Sequence, residues 1–199
     1  MSDVLRVRWT ITASYSPQPW RHCSRCKTGR AFRCSDLIRL NANGKRLDAW
    51  LIYKCTACAS TWNRPIIARQ SVTGISAELL DSLQRSDQAL VRRLANDTAA
   101  LRRSSDRVEY SAETIVTKET LLEPETPARQ LEIGIIVHGP VAMRLDRLLA
   151  VELDLPRKRI ATLLRAFPRR VRDGLTIIID LADGDDGARI PALAQGRLT

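Results

Sequence analysis

A chain of 199 residues and 22.3 kDa exceeds one ordinary domain and falls short of two, which excludes a large multidomain enzyme and predicts two small units with a connector. Apolar residues at 44% and charged residues at 27% match globular usage and exclude a chain disordered throughout. A net charge of +10, with a pI near 10.0, favours an acidic partner over a basic one.

The charge is unevenly spread. Residues 1–70 hold 13 basic and 3 acidic side chains, residues 71–129 hold 8 and 10, and residues 130–199 hold 11 and 9. Two basic blocks therefore flank a mildly acidic middle. No apolar stretch approaches the roughly 20 residues of a membrane-spanning helix. Residues 1–13, interrupted by Asp3, Arg6 and Arg8, contain no signal-peptide core. These features predict a cytoplasmic protein.

Residues 1–70 hold all five cysteines and all four tryptophans, which marks a separate module. Two strands are predicted, at 31–40 and 47–54. Asn43-Gly44 between them is a two-residue hairpin signal, because both residues tolerate positive φ. From Ser76 the period changes. Leu79, Leu80, Leu83, Leu90, Leu94 and Leu101 recur at helical spacing and predict one long or two shorter helices over 76–103. Residues 104–129, with Glu123-Pro124-Glu125-Thr126-Pro127, predict a linker opening on a short strand at 108–116. The last segment, 130–199, begins with a strand at 131–137. A helix over 142–154 follows, then a second from Pro156 through Phe167, stopped by Pro168. A buried strand is predicted at 174–181, with a loose acidic tail beyond it. The predicted fold is α+β: an N-terminal β-rich zinc ribbon (1–70), a central helical segment and linker (71–129), and a small C-terminal α+β helix-hairpin module (130–199).

Cys23-x2-Cys26 and Cys55-x2-Cys58 flank the predicted hairpin, separated by 28 residues. Each C-x2-C turn spaces two thiolates for a tetrahedral metal, and the hairpin returns the second pair to face the first. Zinc is the default ion for four thiolates, with iron chemically possible. A site filled by four protein ligands leaves no position for water and is structural. A redox C-x-x-C needs one motif opening a helix, and disulfides conflict with a cytoplasmic location. Cys34 has no partner at ligand spacing and is expected to be a small packed hydrophobe. His22 adjoins Cys23 and is expected to ligate only if a cysteine does not.

Catalytic signatures are missing. The sequence has no phosphate-binding glycine loop, H-E-x-x-H or nucleophile elbow, and its second histidine, His138, precedes the turn residues Gly139-Pro140. The run Asp183-Gly184-Asp185-Asp186-Gly187 begins like a calcium loop. Its twelfth position is Ala194 instead of a bidentate Glu, which predicts an acidic turn. The chain is expected not to be an enzyme.

Leu40-Asn41-Ala42-Asn43, then Lys45, Leu47-Asp48, the run from Trp50 to Cys55, Cys58 and Thr61-Trp62-Asn63 resemble a bacterial family catalogued as domain of unknown function 1062. That resemblance implies a bacterial protein and supplies no activity. A second stretch runs from Met143-Arg144-Leu145-Asp146-Arg147-Leu148-Leu149 through Leu155-Pro156-Arg157-Lys158-Arg159-Ile160 to Leu163-Leu164. It resembles the RNA-binding module named after the fourth protein of the small ribosomal subunit. Where that module has a glycine and a short hairpin, this sequence reads Phe167-Pro168-Arg169-Arg170-Val171. The resemblance implies RNA binding by two short helices.

The expected function is a non-catalytic zinc-ribbon protein that binds structured RNA or ribosome-associated nucleic acid. Its ligands would be Cys23, Cys26, Cys55 and Cys58, holding one structural zinc. Its RNA contacts would be Arg144, Arg147, Arg157, Lys158 and Arg159. A protein-interaction adaptor built on the ribbon and a redox or metal-responsive switch are the alternatives. Trp50 and Trp62 are expected to be structural, Trp62 by covering the metal turn.

Overall fold

The computed structural model describes residues 3–164, 168–181 and 185–197. In chain order these form β1 (Val4–Ala13), β2 (Gln18–Cys23), β3 (Thr28–Asn43), β4 (Arg46–Cys55) and β5 (Thr61–Ser71), then α1 (Ala77–Gln84), α2 (Gln88–Ala95) and α3 (Thr98–Arg103). They continue with β6 (Arg107–Glu109), β7 (Thr114–Leu122), β8 (Gln130–His138), α4 (Leu145–Glu152), α5 (Arg157–Leu163), β9 (Leu175–Asp180) and α6 (Asp185–Ala194). The chain divides into two units, Tyr15–Tyr110 and a second made of Met1–Ser14 with Ser111–Thr199. Boundaries therefore fall at 14/15 and 110/111, where the sequence placed them at 70 and 129.

In the unit Tyr15–Tyr110 five antiparallel strands lie in the order β5-β4-β3-β2-β6. Strand alternation gives this sheet two distinct faces. Leu47, Ala49, Leu51, Tyr53 and Cys55 are buried on one, while Arg46, Asp48, Trp50, Ile52 and Lys54 point to the other. Leu83, Leu90, Val91, Ala95 and Leu101 of the helices pack on the first face. The predicted hairpin is present, with its two-residue loop one position later than expected: Asn43 pairs with Arg46, and Gly44 takes φ +59°.

The helical segment 76–103 is broken into three short helices. Ser76, Asp87 and Asp97 each accept a hydrogen bond from a backbone N–H three residues on, at Leu79, Leu90 and Ala100. Such caps satisfy N–H groups that a helix leaves unpaired at its start, so each marks a new beginning.

The second unit is built on a four-stranded sheet in the order β7-β1-β8-β9, with β1 and β8 parallel and the other pairs antiparallel. Leu5, Val7, Trp9 and Ile11 of β1 join Leu131, Ile133 and Ile135 of β8 in one core with residues of α4, α5 and α6. Trp9 is fully buried, and its indole N–H donates to the Ala194 carbonyl at 2.8 Å. Lys118 lies 4.9 Å from the Trp9 ring centroid and donates to the carbonyls of Leu193 (2.8 Å) and Glu152 (3.1 Å). Those carbonyls close α6 and α4, where unpaired oxygens and the helix dipole both attract a cation. The Glu152 carboxylate, 2.9 Å away, balances the charge.

Four expectations are corrected. The fold is mostly β, with nine strands and six short α-helices among the described residues, instead of an α+β arrangement with a central helical segment. Residues 4–13 are an interior strand of the second sheet, outside the cysteine-bearing unit. The segment read as a linker contains β7, which pairs with β1 over most of its length. The tail beyond 181 forms α6, held by Ile190 and Ala194 in the core. The predicted helix end at Phe167 and the loop positions Asp183 and Gly184 lie outside the described residues. Among those described, no helix is long and apolar enough to cross a membrane.

Replacing Trp9 with Ala removes the largest core side chain of the second unit and leaves the Ala194 carbonyl unpaired. Truncations of this kind cost about 3–5 kcal/mol. A large fall in the denaturation midpoint is expected by near-ultraviolet circular dichroism, and an unchanged midpoint would contradict this placement.

Candidate metal centre

The four cysteines sit at strand ends. β2 ends at Cys23 and β3 starts at Thr28, so Cys26 lies in the turn between them; β4 ends at Cys55 and β5 starts at Thr61, so Cys58 lies in the next turn. Pairing of Phe32 with Cys55 across β3 and β4 brings both turns to one end of the sheet. The turns match in detail. The Lys27 N–H donates to the Cys23 carbonyl at 2.8 Å and the Ala59 N–H to the Cys55 carbonyl at 2.9 Å. Lys27 and Ala59, each directly after the second cysteine of its pair, both have φ 59°.

The result is a compact group of sulfurs. Cys23 Sγ lies 3.6 Å from Cys58 Sγ, Cys26 Sγ lies 3.9 Å from Cys55 Sγ, and all four lie within 4.8 Å of one another. No pair is bonded as a disulfide. A tetrahedral ion with metal–sulfur bonds of about 2.3 Å requires sulfur–sulfur edges of about 3.8 Å, and the two close pairs lie on either side of that value. Each close pair takes one cysteine from each turn, so an ion here ties the two hairpins together. The donor set can hold a metal ion at Cys23, Cys26, Cys55 and Cys58.

Ser60 was not singled out from the sequence. Its hydroxyl lies 3.1 Å from Cys23 Sγ and 3.2 Å from Cys58 Sγ. Hydrogen bonding from Ser60, helped by the Cys26 N–H, brings the Cys23 thiol down to about 6, and Ser60 also lowers Cys58. Cys26 is pushed up to about 12 by its hydrogen bond with Cys58 and by burial. The group thus favours a charged Cys23 and a protonated Cys26, a division that a bound cation removes by taking all four as thiolates. The only sequence signal for Ser60 is its place two residues after the last cysteine.

Surrounding residues support the group from the helix side. Trp62 packs against Tyr53 (5.1 Å between ring centroids) and edge-on to Phe32 (6.3 Å), and the Arg21 guanidinium sits 4.2 Å over its ring. Trp62 therefore lies where a covering side chain was expected, while Trp50 projects from the opposite face of the sheet. Cys34 is half-buried opposite Tyr53, apart from the group, and burial pushes its thiol up to about 11. His22 alternates away from Cys23 and is exposed, outside the four-residue group.

Of the five basic residues expected to contact RNA, two share one carboxylate. Arg144 precedes α4, and its guanidinium donates to Asp146 at 3.0 and 3.2 Å. Arg157, at the start of α5, donates to the same carboxylate at 3.0 Å. Asp146 is held well below the ordinary carboxylate range, first by the Arg144 hydrogen bonds, and it pins the two helices together. Arg147, Lys158 and Arg159 are exposed on the same helices. An isolated bridge sets Arg170 opposite Arg144. The sequence placed Asp146 in its motif without assigning it this pairing role.

A family model described as protein of unknown function (DUF1062) matches residues 40–167, and the chain belongs to that family. The matched span includes Cys55, Cys58, α4 and α5, and begins after Cys23 and Cys26. Comparison with curated proteins and with solved structures gave no match.

Lys27 and Ala59 hold left-handed conformations that disfavour a Cβ by about 1–2 kcal/mol. Ala59→Gly is expected to raise the stability of the metal-loaded protein by about 1 kcal/mol in chemical denaturation with metal content unchanged. A destabilised variant would contradict the turn geometry.

Proposed function

We propose that this DUF1062 chain is a non-catalytic cytoplasmic zinc-ribbon protein that binds structured RNA. The observation that carries the metal assignment is the group of four sulfurs within 4.8 Å. Four thiolates favour zinc over harder ions, and with all positions filled by protein the ion is structural. A reducing cytoplasm keeps the thiols available.

RNA binding is supported by the basic ends of α4 and α5. Arg147 lies three residues from Arg144 on one helix, and Arg157, Lys158 and Arg159 form the first turn of the next, where backbone N–H groups add to the attraction for phosphate. Asp146 offsets one of the five positive charges and orients two of them.

Metal analysis of the purified chain is expected to give one zinc per molecule, lost in Cys55→Ser together with the fold of the Tyr15–Tyr110 unit. Structural zinc contributes about 10–16 kcal/mol of apparent binding free energy in small peptides, comparable to a whole domain's stability. Zinc absent from the parent, or fully kept by the variant, would contradict the assignment.

Binding of an RNA hairpin is expected to follow a log-log salt slope near −3.6, for about four phosphates neutralised. Replacing Arg147 and Lys158 with Ala should flatten the slope by about 1.8. No hairpin binding at low salt, or an unchanged slope, would favour a protein partner.

A further inference from the structure

The sheet of the Tyr15–Tyr110 unit has a face that its helices leave uncovered. The core clusters of α1, α2 and α3 use Leu47, Leu51, Tyr53, Phe32 and their neighbours, and none of the residues pointing the other way from β4 takes part. On that other face the cross-strand register sets Arg39 beside Trp50, Arg33 beside Lys54, and Asn63 beside Ile52. The geometry points to a binding site here for single-stranded RNA, with Trp50 as the stacking platform and Arg33, Arg39 and Lys54 holding phosphates. The inference rests on the RNA-binding reading above and assigns a second site to it.

Several observations converge on this face. Arg33 and Lys54 are directly opposed like charges, an arrangement that disfavours the sheet and that a bound anion relieves. Arg33 and Arg39 are exposed and have no carboxylate partner among the described residues, and Lys54 donates only to the Thr61 hydroxyl, at 2.6 Å. The acidic residue on β4, Asp48, is already engaged by the Arg69 N–H at 2.8 Å. The patch is therefore cationic.

Trp50 distinguishes the patch from a merely basic surface. The other three tryptophans are committed: Trp9 to the second core, Trp62 to Tyr53 and Phe32, and Trp20 to Arg107, which stacks 3.8 Å over its ring, and to Glu109. Trp50 is part-exposed and has no hydrogen-bond or ring partner among the described residues. A part-exposed aromatic among cations, on a sheet face that the unit's helices leave uncovered, suits unstacked bases and not a duplex, whose bases are already paired and stacked. Across β4 and β5, Asn63 Oδ1 is the one described buried side-chain polar atom without a partner. Orphaned acceptors of this kind call for a ligand or a water.

The test titrates metal-loaded full-length protein into a labelled 12-nucleotide uridine oligonucleotide and, separately, into the RNA hairpin. Trp50→Ala is expected to weaken oligonucleotide binding about tenfold or more, since stacking contributes about 1–3 kcal/mol per base. Trp50→Phe should retain binding to within about threefold, and Arg39→Glu with Lys54→Glu should lose at least tenfold. Zinc content equal to the parent's shows that each variant is folded. Parent-like oligonucleotide binding by Trp50→Ala overturns the site, as does displacement of the oligonucleotide by polyglutamate as readily as by unlabelled RNA. Hairpin binding that persists in the Trp50 variants and falls in Arg147→Ala/Lys158→Ala would then leave the helix-pair reading standing alone. The reverse pattern keeps the sheet site and removes the helix pair.

Discussion

Four thiol groups gathered at one end of a β-sheet are an unfavourable arrangement for a chain without a cation. Two of them are buried, and hydrogen bonds from Ser60 already draw Cys23 toward its charged form. Additional thiolates in the same space repel one another and lose hydration. A bound ion reverses every one of these terms. The β3–β4 register sets the two turns side by side, and matched left-handed residues aim both cysteine pairs at a common point. The cysteine group depends on that convergence, because the turns are also the connections β2–β3 and β4–β5 of the five-stranded sheet.

The sheet separates its tasks by alternation. Tyr53, Phe32 and Trp62 share the helix-facing side with the buried cysteines, so the aromatic core and the cysteine group support each other. Arg33, Arg39, Trp50 and Lys54 share the opposite side, away from both. In the second unit the equivalent economy lies in Lys118, whose ammonium closes the ends of two helices beneath Trp9. The surface there is ordered by another single group, the Asp146 carboxylate between Arg144 and Arg157.

What was legible in the sequence was local and strongly patterned. Two C-x2-C pairs around an Asn-Gly turn specify one cysteine group because spacing and turn chemistry agree, and β8, β9, α4 and α5 were readable from their apolar periods. The strands β1 and β7 were hidden for a physical reason. β1 alternates Leu5, Val7, Trp9 and Ile11 with Arg6, Arg8 and Thr10, and its charges read as a solvated end because the strand that pairs with it and the helices that bury its apolar side lie 100 residues or more away. β7 is an edge strand with Thr, Lys and Glu among its residues, so neither face reads as apolar. The starts of α1, α2 and α3 were present as Ser76, Asp87 and Asp97. Leucines continuing in period across them masked the caps. Ser60 and Asn63 carry no pattern at all, since their roles arise only from three-dimensional proximity.

The central claim is a metal ion bound by four sulfurs, one pair from each turn. X-ray absorption at the zinc edge of the purified full-length protein measures it most directly. The account predicts four sulfur scatterers at about 2.3 Å and no nitrogen or oxygen neighbour. A first shell with two or more nitrogen or oxygen scatterers, or protein without zinc whose cysteines are joined in disulfides, would contradict it.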